Sequence, residues 1–319
     1  MPENTLNGML DVCKERGYTS NDAVAKLRGI LHMKKIGHTG TLDPEAEGVL
    51  PVCLCNGTKL VSLIEDTDKE YSAVLRLGIT TDTQDLAPGA KMLSSVPDEE
   101  VLRKVTPGMV RQTAGMFVGE ISQVPPMYSA VRVNGKRLYE LAREGKTVER
   151  AARTIRIYEI EITDIDLPHV TMRVRCSKGT YIRTLCNDIG ERLGVGGVME
   201  HLVRTRVGMF RLENAVTLGE LEERMKRAEA EGKEKYAYVR SLVQPVEAFF
   251  SECPAVRTLK ESDVHLRNGN ALAGADLTEG RVPESADGRI RVYDSQGVFT
   301  AVYGPEPGSG KIRPVKMFL

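Results

Sequence analysis

The chain has 319 residues, 41% of them apolar and 28% charged, with no low-complexity tract, which excludes a mini-protein and a disordered polypeptide and leaves room for one large and one small domain. Lysine plus arginine equals aspartate plus glutamate, 44 against 44, so the overall charge does not mark a nucleic-acid binder. No apolar run approaches the roughly 20 residues of a membrane span, and Met1-Pro2-Glu3-Asn4-Thr5 lacks a basic-then-apolar leader, so a cytoplasmic, monomeric protein with no membrane partner is expected.

Asn7 to Lys14 predicts a short strand, and Ser20 caps a helix whose Ala23, Val24, Leu27, Ile30 and Leu31 recur at helical spacing. The stretch from Gly37 to Pro51 then places two glycines, Thr39, Thr41 and Asp43-Pro44 in a turn. Gly37 and Gly40 are expected to supply backbone freedom there, and Pro44 to fix the chain after Asp43. A carboxylate held on such a loop suits catalysis. Val49 to Leu54 predicts a strand with Pro51 at an edge or bulge, and Lys59 to Glu65 a short helix. Asp68 to Gly78 predicts a strand with Tyr71, Ala73, Leu75 and Leu77 on one face, and the carboxylates of the segment ending at Asp85 are read as turn-formers.

Asp98 to Ala114 predicts a helix and Phe117 to Gln123 a strand. Pro125 to Gly145 predicts a basic hairpin plus helix. From Val131 to Arg156 eight basic residues stand against three acidic ones, and from Thr171 to Arg211 the count is again eight to three. A neutral molecule can therefore still present a basic face to phosphates. Val170, Met172, Val174 and Cys176 alternate with polar residues as in a half-buried strand. After the Lys178-Gly179-Thr180 turn, Ile182, Leu185, Cys186, Ile189 and Leu193 mark a helix closing at Gly194, which puts Tyr181 and Arg183 at its start. Thr217 to Glu234 reads as charged helix and turn. Beyond Pro245 come short strands over 263–266, 289–294, 298–302 and 311–317. The six cysteines form no C-x-x-C pair and read as buried thiols, and the five histidines have no ligand spacing, so no metal is expected.

These segments carry a resemblance. Gly37 to Pro51 is similar to the pattern G-H-T-G-T-L-D-P-x-A-x-G-V-L-P of TruB-type tRNA pseudouridine synthases, with Glu47 where that family often has threonine. Asp68-Lys69-Glu70-Tyr71 resembles the family's D-K-x-Y element, Leu77 to Asp85 its L-G-x-x-T-D-T-x-D segment, Lys178 to Leu185 its K-G-T-Y-I-R-T-L string, and His201 to Arg206 its H-L-x-R-x-R. The amino-terminal K-P-x-G-x-T-S motif is matched from Lys14 to Ser20, with Glu15 in place of proline.

The resemblance implies an α+β fold with a central mixed or antiparallel sheet flanked by helices. It divides the chain into a catalytic domain over 1–245, with an RNA-binding thumb inserted at about 124–152, and a small β-rich PUA-like domain over 246–319. It implies isomerisation of uridine 55 in the T loop of tRNA, with the T-arm stem-loop as partner. The reaction breaks the C1′–N1 bond and rejoins the same sugar to C5, so it is redox-neutral and no cofactor is expected. Asp43 is then the nucleophile, Arg183 its ionic partner, Tyr71 the ring that stacks on the uracil and later removes the C5 proton, and Tyr181 the residue that completes the pocket. His38 fills the space left by the flipped nucleotide, Leu202 packs on the uracil, and Tyr128, Arg132, Lys136, Arg137, Arg143 and Lys178 face the RNA. Three rivals are weighed against this reading: a non-catalytic tRNA-binding or folding protein, a guide-dependent pseudouridine synthase subunit, and an aspartate-nucleophile hydrolase. The last needs a second carboxylate, which the motifs do not supply.

Overall fold

The computed structural model describes residues 6–61, 67–133 and 135–319. The first part of the chain runs β1 (Gly8–Lys14), α1 (Ser20–Leu31), β2 (Ile36–His38), β3 (Glu47–Leu54), a 3-10 turn (Cys55–Leu60), β4 (Lys69–Leu77), and a two-stranded ribbon of β5 (Ile79–Thr81) and β6 (Met92–Ser95). Next come α2 (Asp98–Lys104), α3 (Pro107–Gly115), β7 (Gly119–Gln123), a hairpin of β8 (Arg132–Val133) and β9 (Lys136–Arg137), and α4 (Leu138–Arg143). The middle of the chain supplies β10 (Arg153–Asp166), β11 (His169–Cys176), α5 (Ile182–Arg192), β12 (Gly197–Val207), β13 (Phe210–Arg211), β14 (Val216–Thr217), α6 (Leu218–Ala230), α7 (Ala237–Leu242) and β15 (Gln244–Pro245). The last part holds β16 (Ala255–Arg257), α8 (Asp263–Arg267), β17 (Ile290–Tyr293), β18 (Phe299–Pro305) and β19 (Ile312–Met317).

The main sheet has the order β14-β1-β3-β12-β4-β11-β10-β7. It is mixed: β12 runs parallel to β3 and β1 parallel to β14, while β4 is antiparallel to both β11 and β12. The fold is therefore α+β with a mixed sheet, as the sequence indicated. Strand alternation assigns the faces. Tyr71, Ala73, Leu75 and Leu77 of β4 join Met172 and Val174 of β11 under α3 and α5 in one core. Leu10, Val12, Leu50, Val52 and Leu54 of β1 and β3 join α1 and α6 in a second. On the opposite face Met9, Val49 and Cys53 meet Phe250, Val302 and Phe318 in a third. A four-stranded sheet, β16-β17-β18-β19, closes a fourth core around Ile290, Val292 and Tyr303.

Several local expectations change. Thr19, not Ser20, caps α1, through a capping box with Asp22, and the Ser20 hydroxyl turns to the Leu42 backbone instead. Pro51 lies inside the sheet rather than at an edge. Its carbonyl accepts from the Thr39 amide, and on that side β12 pairs only Glu47 and Gly48 while β2 pairs only Val52 to Leu54, so the missing N–H falls between the two partners. The 98–114 helix is two helices, because Thr106 caps a new start with Pro107 in its first turn. The helix read over 59–65 is a 3-10 turn as far as Leu60, and residues 62–66 lie outside the described residues. Residues 263–267 are helix, not strand, with the Asp263 carboxylate accepting from Thr258 and Ser295 hydroxyls. No helix among the described residues is long and apolar enough to cross a membrane.

Asp11 is a buried anomaly on β1. Among the described residues neither of its carboxylate oxygens has a well-formed hydrogen bond, and burial pushes its carboxyl up to about 7, with the nearby Arg211 backbone and the Arg204 charge only partly opposing. Because the folded value exceeds the unfolded one, the fold binds more protons than the unfolded chain from the ordinary aspartate range up to neutrality. Stability therefore falls as pH rises through that window. Asp11→Asn is expected to raise the melting temperature at pH 8 and to change it little at pH 4. An equal shift at both values would show that Asp11 ionisation carries no penalty.

Candidate active site

The 39–46 loop hangs between β2 and β3, where the first two cores meet, and it is held from outside. Ser20 Oγ accepts from the Leu42 amide at 2.8 Å and donates to the Leu42 carbonyl at 3.2 Å. Lys14, fully buried, donates from Nζ to the Pro44 carbonyl at 3.1 Å and to the Tyr18 carbonyl at 2.7 Å. Arg204, also buried, donates to the carbonyls of Val49, Thr41 and Gly40 at 2.8, 3.3 and 3.2 Å. Gly37 and Gly40 do not take left-handed backbone conformations, and a Cβ on either would meet nothing closer than 3.8 Å. The glycine this loop requires is Gly48, at φ +105, where a Cβ would lie 2.3 Å from the Arg204 carbonyl oxygen. Its absence of side chain lets β3 approach β12 closely.

Asp43 and Arg183 come together as the family resemblance implied. Arg183 Nε lies 3.0 Å from Asp43 Oδ2 and Nη2 lies 3.2 Å from Oδ1, a two-point hold on the carboxylate. The Arg183 side chain is 5% exposed and that of Asp43 36%, so the cation is locked in the protein while the anion faces the cleft. The same guanidinium donates to the Tyr128 carbonyl at 2.9 Å and the Thr83 carbonyl at 3.1 Å, and its Nη1 reaches Asp85 Oδ2 at 3.3 Å.

Asp85 is therefore more than the turn-former it was read as. It forms turn bonds, accepting from Thr83 Oγ1 at 2.6 Å and the Ala87 amide at 3.2 Å, and it also shares Arg183 with Asp43. This second carboxylate was missed as a site residue, although it stands in the quoted L-G-x-x-T-D-T-x-D segment. It does not revive the hydrolase, because its contacts are all donors to an anion rather than a setting for a proton donor. Withdrawal from water pushes the Asp43 carboxyl above its ordinary value, Arg183 pulls it back, and Asp85 pushes it up again.

Tyr71 is 7% exposed on β4, and burial pushes its phenol up to about 12. The hydroxyl meets the Arg204 guanidinium, whose own cation is penalised by burial. Arg204 is the second residue that residue-by-residue reading passed over. The quoted H-L-x-R-x-R string contains it, but a contact between positions 155 residues apart leaves no local mark.

A cavity of about 210 Å³ opens beside Asp43, with Asp85, Met199 and Leu202 in its wall. Tyr181 stands at the start of α5, its backbone exchanging two hydrogen bonds with the Gln123 side chain. His38 ends β2 and accepts the Gly40 amide at Nδ1, and burial lowers its pKa so the ring is neutral at pH 7. Tyr128 reaches the site through its backbone carbonyl. Lys178 is exposed on the turn before Tyr181. Arg132 and Lys136 are exposed on the β8–β9 hairpin, and Arg137 and Arg143 pack over the Tyr139 ring at 5.7 and 5.5 Å. These four cations lie on the 125–150 segment, which touches the Asp43–Arg183 pair through the Tyr128 carbonyl.

Residues 28–182 match the TruB family pseudouridylate synthase (N terminal domain), and residues 183–251 match the tRNA pseudouridylate synthase B C-terminal domain. A curated tRNA pseudouridine synthase B of Lachnoclostridium phytofermentans is 47% identical over 98% of this chain and 100% of its own length. Its namesake from Halalkalibacterium halodurans is 41% identical over 98% of this chain and 97% of its own. Among solved structures, a chain of a Cbf5–Nop10–Gar1 complex superposes with a TM-score of 0.69 at 28% identity, covering 100% of this chain and 87% of that one. A chain of an H/ACA RNP bound to a substrate RNA containing 2′-deoxyuridine gives 0.68 at 27% identity, covering 99% and 86%.

Proposed function

The chain belongs to the TruB family of pseudouridylate synthases, and from that premise we propose that it isomerises the T-loop uridine of tRNA, position 55, with Asp43 as nucleophile on a flipped-out base. The observation that carries this reading is the two-point hold of buried Arg183 on Asp43 at the wall of an open cavity. Arg183 favours the charged carboxylate and aims it, Leu202 lines the cavity, and Tyr181, at the start of α5 and outside the cavity's lining, is assigned to close the space around the bound uracil. The C1′–N1 bond breaks, the base turns while Asp43 holds one fragment, and C1′ rejoins the ring at C5. The C5 proton leaves and N1 gains one, so nothing is oxidised or reduced.

Tyr71 stacks on the base as a phenol. A proton-transfer role for it needs Arg204 to stabilise the phenoxide as it forms, since burial alone opposes that charge. His38 enters the gap left by the flipped nucleotide, and its neutral ring suits that apolar space. We assign residues 1–245 to the catalytic unit, 124–152 to an RNA-closing thumb, and 246–319 to a PUA-like module. Support for the last division is the separate core around Ile290 and Tyr303.

Incubating the protein alone with unmodified tRNA and mapping pseudouridine nucleotide by nucleotide tests the reading. Conversion confined to the T loop is expected. Conversion only after a guide RNA and further proteins are added would favour a guide-dependent subunit, a rival kept because one chain that superposes well comes from an H/ACA RNP bound to a substrate RNA. The cations of the 125–150 segment favour direct RNA capture. Reversing Arg132, Lys136 and Arg143 to glutamate together is expected to weaken tRNA binding and to lower the slope of log affinity against log salt by about two to three. An unchanged slope would mean that RNA docks elsewhere.

A further inference from the structure

Arg16 is a cation at the cavity that no part of the catalytic reading uses. It lines the same cavity as Asp43 and Leu202, on the turn that follows β1. The other charged residues in that lining are Asp43, Glu45, Asp85 and Glu200, all acidic, so among the lining residues Arg16 alone is basic. An RNA strand that delivers a base into the cavity leaves the flanking phosphates at the mouth, because flipping rotates the nucleotide about its backbone. Asp43 and Asp85 are held by Arg183, so the charged side chains left to meet those phosphates are Glu45 and Glu200, both part-exposed, and one cation, Arg16.

The geometry around Arg16 suits exchange rather than permanent pairing. Its Nε donates to Glu45 Oε2 at 2.8 Å, and the side chains are 54% and 27% exposed, so water and salt weaken the pair. The backbone beneath it is fixed, since the Gly17 amide donates to the Pro44 carbonyl at 2.9 Å and Lys14 Nζ donates to that same oxygen. The turn is thus registered against the residue after Asp43, while the guanidinium can swing over the cavity mouth. A planar fork of donors that accepts one carboxylate accepts a phosphodiester equally well.

Resting on the reading of this site as a uridine pocket, we propose that Arg16 forms a phosphodiester subsite at the cavity mouth, closed by Glu45 in the free protein and opened when a backbone phosphate of the substrate strand displaces that carboxylate. The subsite binds the phosphate beside the target nucleotide and so positions the ribose over Asp43. Glu45 keeps Arg16 from binding stray anions until a nucleotide is presented.

The test measures binding of an unmodified T-arm stem-loop across a salt series to the parent, Arg16→Gln, Arg16→Lys, Glu45→Gln and the Arg16→Gln/Glu45→Gln pair, with melting temperature recorded for each. Arg16→Gln is expected to weaken binding about fivefold and to lower the salt slope by about one. Arg16→Lys should restore the slope and only part of the affinity. Glu45→Gln should tighten binding, and tighten it more when Arg16 is present than when it is not, because only then is a cation released. In turnover, the Arg16→Gln defect should appear in KM rather than in kcat. Parental affinity and slope in Arg16→Gln, or a Glu45→Gln gain independent of Arg16, would overturn the subsite. Either result leaves the catalytic reading standing if the parent still converts the T-loop uridine. A parent that converts no uridine removes that reading, whatever Arg16 does to binding.

Discussion

Asp43→Asn is expected to lower turnover by about three orders of magnitude or more, a loss of at least roughly 4 kcal/mol of transition-state stabilisation. RNA affinity should stay close to that of the parent. The amide keeps the shape of the side chain at the cavity wall and loses the charge and nucleophilicity that the reaction needs. Stability gives an independent check. Burial pushes the carboxyl of Asp43 above its ordinary value, Arg183 only partly opposing and Asp85 adding to it, so its charged form carries a net penalty that the asparagine removes. The variant should therefore melt at the parental temperature or slightly above it, as happens when a functional charge is exchanged for a neutral isostere. Turnover within tenfold of the parent would remove Asp43 from the mechanism. A large fall in both melting temperature and RNA affinity would show that the carboxylate is structural.

The elements and residues legible in the sequence are those with a local signature. The alternation of Tyr71, Ala73, Leu75 and Leu77 gave β4, and the stripe from Ile182 to Leu193 gave α5, because one buried face per element writes its period into the chain. Asp43 was legible through the turn chemistry around it. The anchors of its loop were not. Lys14, Ser20 and Arg204 reach it across 22 to 164 residues, and buried side chains that serve distant backbone carbonyls look in sequence like ordinary polar residues. Asp85 shows the same limit in another form. Its turn bonds to Thr83 and Ala87 are local and visible in the sequence, whereas its share of Arg183 comes from α5, 98 residues on. Pro51 and Pro107 depart from expectation for one reason. A proline's missing N–H signals an edge or a break in the sequence, but the structure uses one in the gap between two partner strands and the other as a helix start.

Arg183→Lys is expected to cost at least about a hundredfold in kcat, much more than its conserved charge suggests. Arg183 presents Nε and Nη2 to the two oxygens of Asp43 while also donating to Asp85 and to the carbonyls of Thr83 and Tyr128. A lysine ammonium has three N–H donors on one atom, so it cannot span both Asp43 oxygens and still serve the remaining acceptors. Acceptors left unpaired in a buried setting each cost about 1–3 kcal/mol, so the melting temperature should fall as well. The pH profile separates lost aim from lost charge. Arg183 pulls the Asp43 carboxyl down, and the active form is the anion, so a weaker hold raises the pKa of Asp43 and moves the acid limb of kcat/KM to higher pH. Asp85→Asn removes a neighbouring negative charge and should move the same limb to lower pH. Opposite displacements by these two variants are the signature of one guanidinium shared between two carboxylates. Parental turnover and an unmoved acid limb in Arg183→Lys would reduce Arg183 to a packing residue.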